Sequence, residues 1–438
     1  MAKSFSPLAS VFVFESFHFD PTTGEIVYRY TTDAGHIFTH TLIYKGKSPH
    51  DSTSIAPHLF ALGMAELPHF WKATLAPRIV IKAGHLTNAQ IQFWHTLYEK
   101  GLGEFFYKNN IDFRNIFTVS IEKGSPTHEP IQSAGTGVLV PFGGGKDSLV
   151  TGELLKKGGH SFSWFELEPL AQAEKIKKVS GVQESIYVER NVTNNFASVV
   201  DLVAKGAPNG HVPITATYMF SSVVAAALAG ARDVVFSLER SANEGNLTYL
   251  GETINHQYSK SLEFEEAASR YINTYVDPHV RVFSLLRPLY EIQILKHFTT
   301  YPQYFDSFIS CNKGLQNGVW CRSCAKCAFM FAGLSALLPP QEVENIFGGN
   351  MFHDTNLIPL YKELAGIQGF KPFDCVGTVE ENMLALYLAK ERYKRENDTV
   401  PPVLEALDVK HGAAHMHLLS DKTNDHYVPP EYTAPKPL

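Results

Sequence analysis

The stretch Gly137-Val138-Leu139-Val140-Pro141-Phe142-Gly143-Gly144-Gly145-Lys146-Asp147-Ser148 changes character halfway along. Its first four residues form a short apolar run bounded by glycine, the pattern of a buried strand. The run breaks at Pro141 into three glycines and a Lys-Asp-Ser step. Leu149, Val150, Glu153, Leu154 and Leu155 follow at helical spacing, and Gly158 stands where a helix C-cap belongs. Strand, glycine turn and helix in that order make a phosphate cradle. Glycines let the backbone approach an anion closely, and the loop amides and first-turn N–H groups point at it. Lys146 adds positive charge and Ser148 a hydroxyl donor. The plainer alternative is an ordinary glycine-rich turn between a strand and a helix.

Spacing excludes two familiar cradles. A Walker A loop needs Gly-x-x-x-x-Gly-Lys followed by Ser or Thr, but here Asp147 follows Lys146 and Val140 occupies the first glycine position. The dinucleotide fingerprint G-x-G-x-x-G, started at Gly143, would need a glycine at Ser148.

Composition narrows the class further. A chain of 438 residues has room for two or three domains with a sizeable core. Its 38 basic and 44 acidic residues leave a net charge of −6, so no global field favours nucleic acid or an anionic membrane. No segment reaches the roughly 18 apolar residues of a membrane span. The longest candidate, Met219 to Ala231, is Ala-rich and suits a buried helix. Val11-Phe12-Val13-Phe14, cut off by Glu15, lacks signal-peptide anatomy. Four of the five cysteines fall between Cys311 and Cys327, which suggests a reducing compartment and a local metal site rather than a disulfide framework. A cytoplasmic protein is expected.

Residues 1 to about 50 alternate polar and apolar. Phe12 to Phe19, Glu25 to Tyr30 and Phe38 to Tyr44 read as strands, with Asp20-Pro21-Thr22-Thr23-Gly24 as a hairpin turn. From about Ile55 to Asn109 the pattern turns helical. A small α+β domain over residues 1–125, suited to substrate recognition, is the natural reading, ending in the polar stretch Lys123 to Thr136. From Gly137 the pattern becomes strand–helix–strand: Phe162 to Leu167, Ser185 to Val192 and Asp233 to Leu238 are strand candidates, and Thr215 to Leu228 a helix. Such alternation implies a doubly wound parallel sheet over residues 137–340, with ligands at the carboxyl ends of its strands. Residues 341–438 read as a helical extension, with the helix Glu380 to Tyr393 and a Pro-rich tail beyond about Asp408 that is poorly packed or wraps the surface.

The loop after Leu238 is dense in polar groups. Glu239 and Glu244 could hold Mg²⁺ through water, and Arg240 could clamp a carboxylate or phosphate. Asn243 and Asn246 complete a candidate substrate loop, whose alternative is a solvated surface turn. Asn255 to Lys260 forms a second polar cluster. Cys311, Cys321, Cys324 and Cys327 read C-x9-C-x2-C-x2-C, and C-x2-C steps supply thiolates from a tight turn to structural zinc. Iron–sulfur ligation or clustered free thiols would give the same spacing. Cys375 stands apart. It is either a small core residue or an acid/base thiol, its pKa lowered by Gly377 and the helix starting near Thr378.

The glycine stretch resembles the Ser-Gly-Gly-x-Asp-Ser loop of the ATP-pyrophosphatase (PP-loop) family, with Phe142-Gly143 in place of its leading Ser-Gly. That resemblance implies an adenine nucleotide alpha hydrolase-like sheet and a site at Gly143, Gly144, Gly145, Lys146, Asp147 and Ser148. The site would bind ATP with Mg²⁺ and split it into AMP and pyrophosphate. The order of loop, Val212-Pro213 and cysteine cluster is similar to that of 7-cyano-7-deazaguanine synthase, whose cluster binds zinc. Most of residues 10 to 400 is more similar to the bacterial UDP-N-acetylmuramoyl-L-alanyl-L-glutamate epimerase family. The features that carry this are the short-stranded N-terminal part, Glu239 to Asn246, Asn255 to Lys260 and Cys321 to Cys327. It implies a UDP-linked muramoyl dipeptide as substrate, no nucleic-acid or membrane partner, and inversion of L-Glu after ATP has adenylated its carboxylate. Lys146 and Ser148 would serve the ATP step. For the α-proton, the ATP loop itself offers no group of suitable pKa, which leaves Cys375, with His211 and His256 as competitors. An amide, nitrile or nucleobase-modifying PP-loop enzyme, and a ligand sensor without turnover, are the competing readings.

Overall fold

The computed structural model describes residues 6–45, 55–133, 135–396 and 399–433. Its strands, in chain order, are β1 (Val11–Asp20), β2 (Glu25–Thr32), β3 (Ile37–Lys45), β4 (Arg78–Ile81), β5 (Thr118–Ile121), β6 (Gly137–Pro141), β7 (Ser163–Leu167), β8 (Ser185–Arg190), β9 (Ala231–Phe236), β10 (Leu247–Tyr249), β11 (Glu252–Ile254) and β12 (Arg281–Ser284). Ten of them form one sheet in the order β12-β9-β6-β7-β8-β3-β2-β1-β4-β5, while β10 and β11 pair separately. From β12 to β8 the neighbours are parallel; β8–β3, β3–β2 and β2–β1 are antiparallel; β1–β4 and β4–β5 are parallel again.

The N-terminal strands therefore extend the sheet that carries the glycine loop. The seam is β3–β8, registered from Leu42 opposite Arg190 to Lys45 opposite Tyr187. Phe38, His40, Leu42 and Tyr44 of β3 are all buried. Left as an edge, so apolar a strand would expose unpaired N–H and C=O groups to other chains, and pairing with β8 removes that liability. β4 lies within the stretch that reads as helical. At four residues, its pairing with β1 and β5 decides its state, not its own pattern.

Side chains of the parallel strands feed two cores, one on each face, as the twofold alternation requires. Leu139, Phe165, Val234 and Phe236 join the core built with the helices Ala56–Glu66 and Ile214–Ala229. Val140, Trp164, Val235 and Phe283 join the other, with the helices Lys146–Lys157, Ala325–Leu337 and Val379–Arg395. Gly63 lets the first of these helices lie on the sheet. A Cβ there would stand 2.4 Å from the Phe14 ring. Beneath it Glu66, fully buried, meets Arg190 of β8 at 3.1 Å, His40 of β3 at 3.2 Å and His69 at 3.4 Å.

The C-terminal tail wraps back over the molecule. Gln293 donates to the carbonyl of Asp421 (2.7 Å), and the buried Tyr432 donates its hydroxyl to Asp233 of β9 (2.6 Å). Residues 434–438 lie outside the described part. Among the described residues no helix is long and apolar enough to cross a membrane.

Candidate active site

At the carboxyl end of β6 the chain turns through Gly143, Gly144 and Gly145 into the helix Lys146–Lys157, capped by Gly158. Gly144 has φ +71°, and a Cβ there would lie 2.8 Å from the Gln172 amide and 2.9 Å from Leu170. Gly143 has open space around it, as close backbone approach to a ligand requires. The turn is pinned from outside by Ile309, whose N–H donates to the Gly144 carbonyl (3.1 Å). Ser148 donates back to the Gly145 carbonyl (3.1 Å). Phe142 is buried against Trp164.

Lys146 is buried, 2.6 Å from Asp147 and in contact with Glu291 at the head of the helix Glu291–Phe298. Burial works against its charge, but the Asp147 and Glu291 carboxylates outweigh that and raise Lys146 above the ordinary lysine value. Glu291 is the carboxyl pushed up, by burial and by its neighbours Asp147 and Glu239, against the pull of Lys146. Three carboxylates thus lie near the end of this loop, with Lys146 between two of them.

The same cleft, about 450 Å³, is lined on its far side by His211, His256, Lys260, Lys326, Asp374 and Cys375. One ligand atom each from His256, Asp374 and Cys375 lies within 4.8 Å of the others. Burial alone would raise the Cys375 thiol, but Lys260, the hydrogen bond with His256, and Lys326 bring it down to about 6. Burial alone would discharge His256, but hydrogen bonding to Cys375 and to Glu104 raises it to about 9. His256 Nδ1 bonds Glu104 Oε2 at 2.5 Å, and His211 Nδ1 lies 3.4 Å from the same oxygen. His211 is driven down to about 3 by burial and by His256, so it is neutral at physiological pH. The cleft thus sets Cys375 and His256, with Glu104 behind them, opposite the glycine loop, and their mutual shifts favour a thiolate beside an imidazolium. Such a pair can supply a base of matched pKa, and loop amides beside a lysine can stabilise negative charge.

The loop after β9 divides. Glu239 is buried near Lys260 and Glu291, with its carbonyl accepting from Arg287 (2.6 Å). Arg240 stacks 4.4 Å over Tyr290, Asn243 caps Leu262 N (2.8 Å), and Asn246 donates to the carbonyls of Lys371 and Pro372 (3.3 and 2.9 Å). Glu244 pairs with Lys371 at 2.9 Å. None of Glu239, Arg240, Asn243 and Asn246 is among the cleft-lining residues; they shape the wall behind it. Asn246 and Glu244 hold the strap Lys371 to Cys375 in place, and Asn312 donates to Asp374 (2.9 Å), which accepts from Cys375 N (2.9 Å).

The four clustered cysteines converge behind this wall, one Sγ from each within 4.8 Å of the rest. The Cys311–Cys324 and Cys321–Cys327 sulfurs lie 3.9 and 3.7 Å apart. A tetrahedral ion with bonds of about 2.3 Å would separate its sulfurs by about 3.8 Å. Backbone N–H groups of Gly314 and Cys321 point at the Cys311 sulfur, and that of Cys327 at the Cys324 sulfur (3.2, 3.4 and 3.5 Å). The set fits one zinc ion.

Sequence reasoning did not single out Glu104, Glu291, Lys260 or Asp374. His256 and Lys260 fall in the polar run Asn255 to Lys260, whose density was a signal. Glu104 lies in Gly103-Glu104-Phe105-Phe106, where nothing in the pattern marks it.

Residues 4–285 match the family described as the MurL N-terminal domain, and residues 307–417 the MurL C-terminal domain. The whole sheet lies in the first, the cysteine cluster and Cys375 in the second. A curated relative from a Micromonospora species, named UDP-N-acetyl-alpha-D-muramoyl-L-alanyl-L-glutamate epimerase, is 33% identical over 435 residues, covering 96% of each chain. Relatives of the same name from Salinispora tropica and Xanthomonas oryzae pv. oryzae are 33% and 31% identical, over 87% and 89% of this chain and 85% and 88% of theirs. With both domains matched and the alignment running through nearly the whole length, this chain belongs to the MurL family of UDP-N-acetyl-α-D-muramoyl-L-alanyl-L-glutamate epimerases.

Proposed function

We propose that this chain inverts the terminal L-glutamate of UDP-N-acetylmuramoyl-L-alanyl-L-glutamate to D-glutamate, in peptidoglycan precursor synthesis, and that it uses ATP to do so. The observation that supports the ATP half is the shared cleft, with the glycine loop and Lys146 on one wall and Cys375 with His256 on the other. A free carboxylate protects the adjacent α-proton, because the carbanion would adjoin an anion. Attack of that carboxylate on the α-phosphorus of ATP, with pyrophosphate leaving, gives a mixed anhydride with AMP and removes the negative charge.

In this reading the sheet is of the PP-loop type. Gly143, Gly144, Gly145, Lys146 and Ser148 would hold the phosphates, and Asp147 would face the Mg²⁺ that accompanies them. The Cys375 thiolate then takes the α-proton, with His256 keeping it ionised and Glu104 orienting His256. A proton returns to the opposite face, and water cleaves the anhydride, releasing AMP and the D-glutamyl product. Cys311, Cys321, Cys324 and Cys327 hold one zinc ion away from the chemistry, where it contributes rigidity.

The test supplies the purified chain with UDP-N-acetylmuramoyl-L-Ala-L-Glu, ATP and Mg²⁺. D-Glutamate with stoichiometric AMP is expected. AMP with a nitrogen- or sulfur-containing product would point to another ligating enzyme, D-glutamate without AMP would remove ATP from the reaction, and neither product would make the chain a binding protein.

A further inference from the structure

Outside the cleft, a run of rings leads away from the thiol. Phe373 lies 6.4 Å from the His256 ring, Tyr107 5.6 Å from Phe373, and Tyr249 5.4 Å from Tyr107. Phe370 stands beside the middle of this run, 5.7 Å from Phe373 and 6.2 Å from Tyr107, and is 44% exposed. The Lys108 ammonium sits 5.3 Å over the Phe373 ring, paired on one side with Glu104 at 3.2 Å and with its side chain 57% exposed. Tyr107 and Lys108 come from the helix Gly103–Lys108, Tyr249 from β10, and Phe370 and Phe373 from the segment that carries Cys375. Three distant pieces of chain therefore build one half-exposed aromatic surface with a cation on it.

We infer that this surface holds the uridine diphosphate end of the substrate, an inference that rests on the substrate class proposed above. A dipeptide reaches only about 7 Å when extended. With the terminal glutamate at Cys375, the sugar and nucleotide reach well beyond that thiol, and the rings offer them a surface that begins beside His256. Nucleobases stack on partly exposed aromatic faces, and an ammonium beside them meets the diphosphate. Tyr107, Tyr249 and Phe370 do not line the cleft that holds the glycine loop, so a nucleotide cradled there leaves them free. The two nucleotides of the reaction thus bind on separate surfaces, distinguished by what each displays: fixed amides at the loop, rings and one lysine here.

Calorimetric titration of the full chain with UDP alone, and separately with ADP, tests this without turnover. Phe370→Ala, an exposed change that the fold tolerates, should weaken UDP binding roughly tenfold, the usual scale for loss of one stacking partner. ADP affinity should keep its wild-type value. Lys108→Ala should weaken UDP and reduce the salt dependence of its binding. In turnover, Phe370→Ala should raise KM for the UDP-linked substrate far more than it lowers kcat. The inference falls if wild-type chain does not bind UDP, if both variants bind it as wild type does, or if Phe370→Ala weakens ADP equally. A chain that binds UDP as described yet forms no D-glutamate would overturn the proposed reaction and leave this surface standing.

Discussion

In the proposed mechanism Cys375 and His256 would work as a pair only while one has lost its proton and the other has kept it. With Cys375 brought down to about 6 and His256 raised to about 9, that state exists between those values. Solvent deuterium incorporation at the glutamate α-carbon should rise through about pH 6 and fall again past about pH 9. His256→Gln removes the charge while keeping a hydrogen-bonding group, so the acid limb should move up toward the ordinary thiol value near 8.5. Cys375→Ala should abolish exchange with AMP formation intact, and unimpaired exchange would return Cys375 to a packing role. Lys146→Ala should do the reverse, cutting AMP formation roughly 10²–10³-fold, the usual effect of losing one preorganised charge-stabilising group. Lys146 and Ser148 are legible in the sequence because their meaning lies in a contiguous spacing. Glu104 is not, because it acquires its role only by meeting His256 across 152 positions of chain.

Among the elements, the glycine loop and the cysteine cluster are each specified locally, and each can be broken locally. Gly144→Ala would force a Cβ into Gln172 and Leu170 at a left-handed φ. The variant should fold and lose most of its ATP affinity, measured by direct titration. Cys324→Ser removes one thiolate but keeps an oxygen that can cap the helix Ala325–Leu337 by accepting from Cys327 N, so its effect isolates the metal site. Zinc content should fall from one per chain, with a lower Tm, before any selective loss of chemistry. A wild-type preparation with only trace zinc or iron would sink the metal assignment. Elements whose residues bear the pattern themselves, such as the helix Val379–Arg395 with its Thr378/Glu381 capping box, could be read in advance. β4, β5 and β12 could not. Four residues hold too few alternations to show a period, and only their neighbours in the sheet make them strands.

Across the whole molecule, the seam between β3 and β8 decides whether two halves behave as one body. Glu66, Arg190, His40 and His69 sit there without solvent, joining one helix to both strands. Burial would raise the Glu66 carboxyl, but Arg190 and the two histidines outweigh it and hold the group well below the usual carboxylate range. A carboxyl lowered on folding stabilises above its unfolded value, near about 4.3, and loses that contribution as pH falls through the folded one. Glu66 should therefore keep its charge in mild acid, but burial drives His69 down to about 3, so the unfolded chain takes up that proton first and the seam should weaken as pH falls below about 6.5. Glu66→Gln strands the Arg190 charge and should cost about 3–5 kcal/mol, read as a lower midpoint in urea. If the halves were independent, that loss would appear as a separate, earlier transition confined to the N-terminal strands.

Ile309 to Asn312 touches both chemistries: Ile309 bonds the Gly144 carbonyl, and Asn312 bonds the aspartate that fixes the Cys375 backbone. In the proposed reaction, four residues of covalent chain thus act as a ruler between the place where a carboxylate would be activated and the place where its neighbouring carbon would be deprotonated. Lengthening the ruler by one residue adds about 3.3 Å, more than a proton can be handed across. Such an enzyme would still consume ATP, and its anhydride would still meet water. The glutamate would leave with the handedness it brought, and the molecule would have become a futile hydrolase.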